Sequence, residues 1–288
     1  MVRFLVFWWL ALAAAAQDLT DLRMEKVATG HVFTDGPVWS RDGYLIFSDV
    51  PESQLLELKP GVPVSIYRAK SNGAGGNALD SQGRLYSCEA HSRRITRTDK
   101  KGNVEVVAER WQAKRLNAPN DLIVRRDGHI YFTDPAFGNQ RDGRELDFYG
   151  VFHISPRGEL DVIAKPKGRP NGIALSPNGR ILYVSNSDEH NLRAYDLDRN
   201  GAASNERVLV SGIEGVPNGV RVDEKGNIYL AANKIQVYAP DGKPLGAIET
   251  PETPSNCAFG DADFQSLYIT ARTSVYRVRL DVKGSVQY

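Results

Sequence analysis

Cysteine, surplus charge and long apolar runs are all scarce in this chain, and each scarcity removes a class of protein. Only two cysteines occur in 288 residues, Cys88 and Cys257. One pair cannot make a disulfide framework, and each lies inside a strand-like run, where a cysteine usually acts as a small buried hydrophobe. Two free thiols are therefore expected. Lys plus Arg number 36 against 35 for Asp plus Glu, so no long-range field favours nucleic acid or an anionic membrane. The histidines (31, 91, 129, 153 and 190) lack zinc-like spacing, and neither a G-x-S-x-G elbow nor an H-E-x-x-H pair occurs. Helical periodicity is almost absent.

The one apolar run of note, Phe4–Ala16, is shorter than the ~20 residues that span a bilayer. It follows Arg3 and ends in Ala14-Ala15-Ala16 before Gln17, the form of a secretory signal peptide with an A-x-A cleavage site. Residues 1–16 are thus expected to be removed. The mature chain, residues 17–288, would be secreted or periplasmic, without membrane attachment. No cysteine stands at the cleavage point to be lipidated.

What is present is a repeat. Gly36–Val50, Gly76–Glu89, Asn120–Pro135, Asn171–Ser187, Asn218–Ala232 and Asn256–Thr270 share one pattern: an apolar stretch, a polar turn usually carrying glycine, then a Leu/Ile-Tyr/Phe stretch. That is hairpin grammar, because the glycine tolerates the positive φ of a tight turn. The period is roughly 40–50 residues, and further short strands follow each hairpin, such as Leu55–Leu58 and Val64–Tyr67. Four strands per period make a propeller blade. The expected fold is an all-β, six-bladed β-propeller. After Val275–Leu280 little chain remains, so Arg23–Val27 is expected to supply the last strand and close the ring, which hides the sheet edges. A β-sandwich with accidental repetition is the competing architecture.

Hairpin geometry decides which residues share a face. Asp35, Asn120, Asn171, Asn218 and Asn256 begin the first strands and should surround one mouth of the channel. Glu89, Asp134 and Asp188, with Asp49, end the returning strands on that face, further out. The insertion Pro135–Gly150, charged through Arg141, Asp142, Arg144, Glu145 and Asp147, leaves from the same face as either a substrate lid or a solvated connector. His91 and His190 also follow second strands, though a packed or surface role is the plainer reading of each. Asparagine often just begins a strand. Three P-N-[GD] tripeptides at equivalent positions (Pro119-Asn120-Asp121, Pro170-Asn171-Gly172 and Pro217-Asn218-Gly219) favour more than that. One carboxylate with several carboxamides is an all-oxygen set, which suits a hard cation such as Ca²⁺.

The mature chain resembles the SMP-30/gluconolactonase/LRE-like family over nearly its full length. The resemblance is carried by Asp35-Gly36-Pro37-Val38-Trp39, Cys88-Glu89 with Arg93-Arg94-Ile95-Thr96-Arg97, and Pro119-Asn120-Asp121 with Tyr131-Phe132-Thr133-Asp134-Pro135. Pro170-Asn171-Gly172 with Tyr183-Val184-Ser185, and Ser255-Asn256-Cys257-Ala258-Phe259-Gly260, complete it. It implies a six-bladed propeller with a divalent cation on the channel axis, usually Ca²⁺, with Zn²⁺, Mg²⁺ or Mn²⁺ as alternatives. It also implies a small-molecule substrate, a sugar lactone such as gluconolactone, opened by hydrolysis.

Carried across position by position, the resemblance makes Asp35, Asn120, Asn171 and Asn218 the metal ligands. Asn120 is also a substrate contact, alongside Asp121, Glu89, Asp134, Asp188 and Asn256. Two positions depart. Asp35 stands where the family has Glu. Asn218 stands where the family has the Asp that is both ligand and general acid/base. A carboxamide ligates through its oxygen but cannot take a proton from water. The departure leaves three readings: a lactonase with another base (Asp121, Asp134, Asp188 or Glu89), a propeller that binds a sugar acid without turnover, or a related esterase or phosphotriesterase.

Overall fold

The computed structural model describes residues 19, 22–138 and 143–286. The expected signal peptide, and Arg141 and Asp142 of the insertion, lie outside them. Six four-stranded antiparallel sheets account for nearly all the regular structure, with no α-helix among the described residues. Blade 1 is Thr34–Ser40, Tyr44–Asp49, Gln54–Leu58 and Ser65–Arg68. Blade 2 is Ala74–Leu79, Leu85–Glu89, Arg94–Thr98 and Val104–Ala108. Blade 3 comprises Leu122–Val124, Ile130–Asp134, Gly150–Ile154 and Leu160–Ala164, and blade 4 Pro170–Leu175, Ile181–Asn186, Asn191–Leu197 and Ala203–Ser211. Val220–Val222, Ile228–Ala231, Ile235–Tyr238 and Pro244–Ile248 form blade 5.

Blade 6 takes three strands from the C-terminal side, Pro254–Gly260, Ser266–Ala271 and Ser274–Arg279. Its fourth is Met24–Thr29, from the other end of the chain. Met24 faces Val278 and Thr29 faces Ser274 in this closing pair. The ring thus closes with an N-terminal strand, as expected, one or two residues further along than the sequence suggested. Glu252 fastens the seam, accepting from Ser274 Oγ at 2.5 Å, Tyr276 Oη at 2.8 Å and the Thr273 N–H at 2.8 Å.

The core lies between blades rather than within one. Trp39, Leu45 and Phe47 of blade 1 pack on Ala258 and Tyr268 of blade 6, with Trp39 stacked on Tyr268 at 5.3 Å. Cys88 sits in the layer with Phe132 and Phe152, while Cys257 sits in another with Tyr229 and Ile269. Both thiols are free, and burial holds both protonated.

Toward the axis the innermost strands come too close for side chains at one level. A Cβ on Gly36 would overlap the Gly75 carbonyl oxygen and stand 2.7 Å from Gly76 Cα. Hydroxyls from the second strands of blades 1, 3 and 4, and from the first strand of blade 6, bridge this gap to the next blade. Ser48 donates to Gly75 O at 2.7 Å, Thr133 to Asn171 O at 2.6 Å, Ser185 to Asn218 O at 2.5 Å and Ser255 to Thr34 O at 2.6 Å. Residues 280–286 lie across the opposite end of the channel, where the Ser285 N–H donates to Val222 O at 2.9 Å.

Candidate active site

The close approach between blades aligns two rings of residues. The upper ring is Asp35, Gly75, Asn120, Asn171, Asn218 and Ser255. The lower is Gly36, Gly76, Asp121, Gly172, Gly219 and Asn256, whose backbones meet in succession around the axis. This corrects one expectation. Asn256 pairs with Thr270 one residue later than Asn218 pairs with Ala231, so the sixth member of the upper ring is Ser255. A slip of one residue turns a strand's side chains to the other side. The Ser255 hydroxyl is spent on the backbone, and Asn256 points below the mouth.

Four upper-ring side chains, Asp35, Asn120, Asn171 and Asn218, line one cavity of about 480 Å³. Asn171 is buried and its amide orientation is fixed. Nδ2 donates to Ser187 Oγ at 2.9 Å and Pro217 O at 3.3 Å, which turns Oδ1 inward to accept from Asn120 Nδ2 at 2.7 Å. The backbones of Asn171 and Asn218 are clamped by the inter-blade hydroxyls. The Asn171 side-chain oxygen and the backbones that carry Asn171 and Asn218 are therefore pre-placed by the fold.

Beneath them the channel holds more negative charge than it matches. Asp121 is buried, and its Oδ2 lies 3.7 Å from Arg221 Nη1 and accepts from Asn256 Nδ2 at 3.3 Å. Asp35 keeps one short bond, from the Gly36 N–H at 2.7 Å. Burial, reinforced by the Asp121 charge, pushes the Asp35 carboxyl up to about 6. The Gly36 N–H, Asn256 and Arg221 oppose the shift. Burial also raises Asp121, with Arg221 as the main opposing influence. Two carboxylates on one axis beside a single guanidinium form a site that gains from a cation at the mouth. No cluster of three His, Cys, Asp or Glu gathers among the described residues. The donors are one carboxylate and three carboxamides, a hard-oxygen set. A divalent cation fits these residues.

Glu89, Asp134 and Asp188 do not come to the cavity. Glu89 is buried against Arg68 at 3.0 Å and Arg94 at 2.8 Å. Asp134 accepts the Asn117 and Ala118 N–H groups, both at 2.7 Å, and burial raises it to about 7. Asp188 binds Arg169 and its N–H. With Asp49, which holds the Val32 and Phe33 N–H groups, Asp134 and Asp188 fasten the chain just before each blade's first strand. Their oxygens serve the scaffold. Asp121 lies one layer too deep to meet a substrate at the mouth.

The cavity wall also contains residues that the sequence did not single out. Arg169 stacks on Phe137 at 4.9 Å, and both line the cavity with Phe33 and Ser187; His91, named from the sequence as following a second strand, lines it too, and His190 does not. Phe137 comes from the insertion, so that segment does wall the site. Further along, Leu146 is buried and Phe148 packs against Trp111. Arg169 stands immediately before Pro170-Asn171-Gly172. Its place beside that motif was the available signal.

A six-bladed propeller with one oxygen-lined mouth defines the class. Residues 33–273 match the SMP-30/Gluconolactonase/LRE-like region, and the chain belongs to that family. Gluconolactonase of Zymomonas mobilis is 36% identical over 293 residues, covering 91% of this chain and 82% of the relative. The 6-deoxy-6-sulfogluconolactonase of Pseudomonas putida is 26% identical over 256 residues, 83% of each chain. Among solved structures, a gluconolactonase from Xanthomonas campestris superposes with a TM-score of 0.85 at 35% identity, covering 92% of this chain and 91% of that one. Regucalcin from Agrobacterium tumefaciens, a calcium-binding protein, shares the fold at a TM-score of 0.77 and 21% identity, covering 90% and 94%.

Proposed function

We propose that this protein is an enzyme that hydrolyses sugar lactones, with a divalent cation, Ca²⁺ by the chemistry of its donors, held at the channel mouth. The observation that carries this reading is the convergence of Asp35, Asn120, Asn171 and Asn218 from four blades on one cavity. Family membership and the similarity to gluconolactonases support the reaction class. When bound, such a cation polarises a carbonyl and acidifies water. Asp35 would supply the negative charge, and the carboxamide oxygens the remaining protein ligands. Asn171, tied through its nitrogen, holds its oxygen turned into the cavity, where it accepts from Asn120. Phe137 and Arg169 wall the substrate side and limit water around the lactone. The amino-terminal residues suit an exported protein, acting outside the cytoplasm.

A second reading, a propeller that binds a sugar acid without turnover, is favoured by one observation: the amide at 218. Proton release from glucono-1,5-lactone and other aldonolactones, measured over the spontaneous rate, separates the two. The lactonase reading expects catalysed opening by the parent. In the Asn218→Asp variant it expects cation affinity to tighten by roughly an order of magnitude, since ligand charge count tunes affinity. A silent parent that gains turnover on Asn218→Asp favours the binder instead.

A further inference from the structure

We propose that His91 is the catalytic base of this site, taking the proton from the attacking water that Asn218 cannot take. This rests on the lactone-hydrolysing reading above. Of the described side chains lining the cavity, only Asp35 and His91 can accept a proton. Asp35 is the charged ligand of the proposed cation and already accepts the Gly36 N–H. Asp121, Asp134, Asp188 and Glu89 do not reach the cavity. His91 remains.

Its placement is built into the chain. Gly73, at φ +65°, presses its Cα against the imidazole, and a Cβ there would stand 2.7 Å from Cγ, Cδ2 and Cε1 of the ring. Only glycine leaves the ring that seat. The backbone is tied in register, with the His91 N–H donating to Asn72 O at 3.0 Å and the Ala90 N–H to Gly73 O at 3.3 Å. Blade 2 contributes Gly75 to the upper ring, so no side chain of its own stands between His91 and the axis. The other four histidines each have one ring nitrogen near a partner, although His31 Nε2 is buried without one. His31 stands 3.7 Å from Asp49, His190 Nδ1 is 3.3 Å from Ile213 O, and His129 Nδ1 lies 2.6 Å from His153 Nε2. Among the described residues, His91 is the histidine whose ring nitrogens have no partner.

The charged groups around it are few. Asp35 and Arg169 share its cavity. Glu89 on the adjoining strand is matched by Arg68 and Arg94, and Arg93 donates to Leu116 O and Gly143 O. In the step assigned to it, a free imidazole nitrogen takes one proton as the water oxygen bonds to the lactone carbonyl carbon. Collapse of the tetrahedral adduct breaks the ring C–O bond. The imidazolium returns the proton to the departing ring oxygen, leaving the open-chain hydroxy acid and a neutral imidazole.

The test compares parent, His91→Gln and His91→Ala on glucono-1,5-lactone from pH 5 to 8 with Ca²⁺ present, and measures gluconate binding by calorimetry. The expected result is a kcat lower by about 10²-fold or more in both variants, the usual worth of a positioned base. The acid limb of the parent's pH profile should disappear. Gluconate affinity should stay within about threefold, and added imidazole should restore part of the His91→Ala rate. Variants that keep both the parent's rate and its acid limb would overturn the role of His91 and leave the lactonase reading standing. A parent that opens no sugar lactone would end that reading, and this one with it.

Discussion

Asp35→Asn is expected to lower lactone-opening kcat/KM by about 10²–10³-fold, the cost of removing one preorganised electrostatic group, while making the cation-free protein more stable. The two effects have one cause. Asp35 is the only carboxylate among the described cavity-lining residues, so amidation removes the charge of the proposed ligand set while keeping the shape. Its carboxyl is pushed up to about 6 by burial and by Asp121. A carboxylate raised above its unfolded value of 3.8 favours the protonated form on folding. Stability is therefore greatest at low pH and falls as pH climbs from 3.8 through 6. By pH 7.5 the buried charge costs about 3 kcal/mol, which asparagine does not incur. In chelator at pH 7.5 the variant's Tm should exceed the parent's by several degrees, and the gap should narrow below pH 6 and close as pH falls to about 3.8. Thermal scans in chelator, with activity measured in Ca²⁺, read both effects. Equal stability at pH 7.5 would contradict the assigned strain.

Gly36→Ala is expected to cost more than about 4 kcal/mol, the range reserved for severe steric or strain defects. The added methyl would overlap the Gly75 carbonyl oxygen and Gly76 Cα, both backbone, and Gly36 has φ +49°. Neither neighbour can rotate away, so blade 1 would have to move off blade 2 and carry Asp35 with it. The Tm should fall by roughly 8 °C or more, with activity lost in the folded fraction. Alanine at Gly43 meets nothing within 4 Å although φ is +90°, so Gly43→Ala should destabilise far less. Similar losses at both positions would show that backbone conformation, not inter-blade approach, governs the cost.

The fold was readable because each blade needs the same hairpin, and that repetition survives sequence drift. The ring closure was readable too, from the shortage of chain after the sixth hairpin. The upper ring was legible at Asp35, Asn120, Asn171 and Asn218, where an Asp or Asn precedes Gly or another polar residue. It failed at Asn256, because the sixth blade puts serine at the ring level and asparagine one step on. A local motif does not fix register when the partner strand sets it. The carboxylates that end second strands were misplaced for a different reason. Sequence brings Asp134 and Asp188 to the correct face but cannot show that backbone N–H groups already claim them. Arg169 and Phe137 come from connecting segments with no periodicity, so only the assembled ring brings them to the cavity.

The function of this propeller turns on whether a cation at this mouth opens a lactone. The most direct measurement is the opening rate of glucono-1,5-lactone by chelator-stripped protein, before and after adding Ca²⁺ back. The expected result is a rate reduced to the spontaneous background by chelation and restored by Ca²⁺. A rate indifferent to the chelator, or none above background on any sugar lactone with Ca²⁺ present, would contradict it.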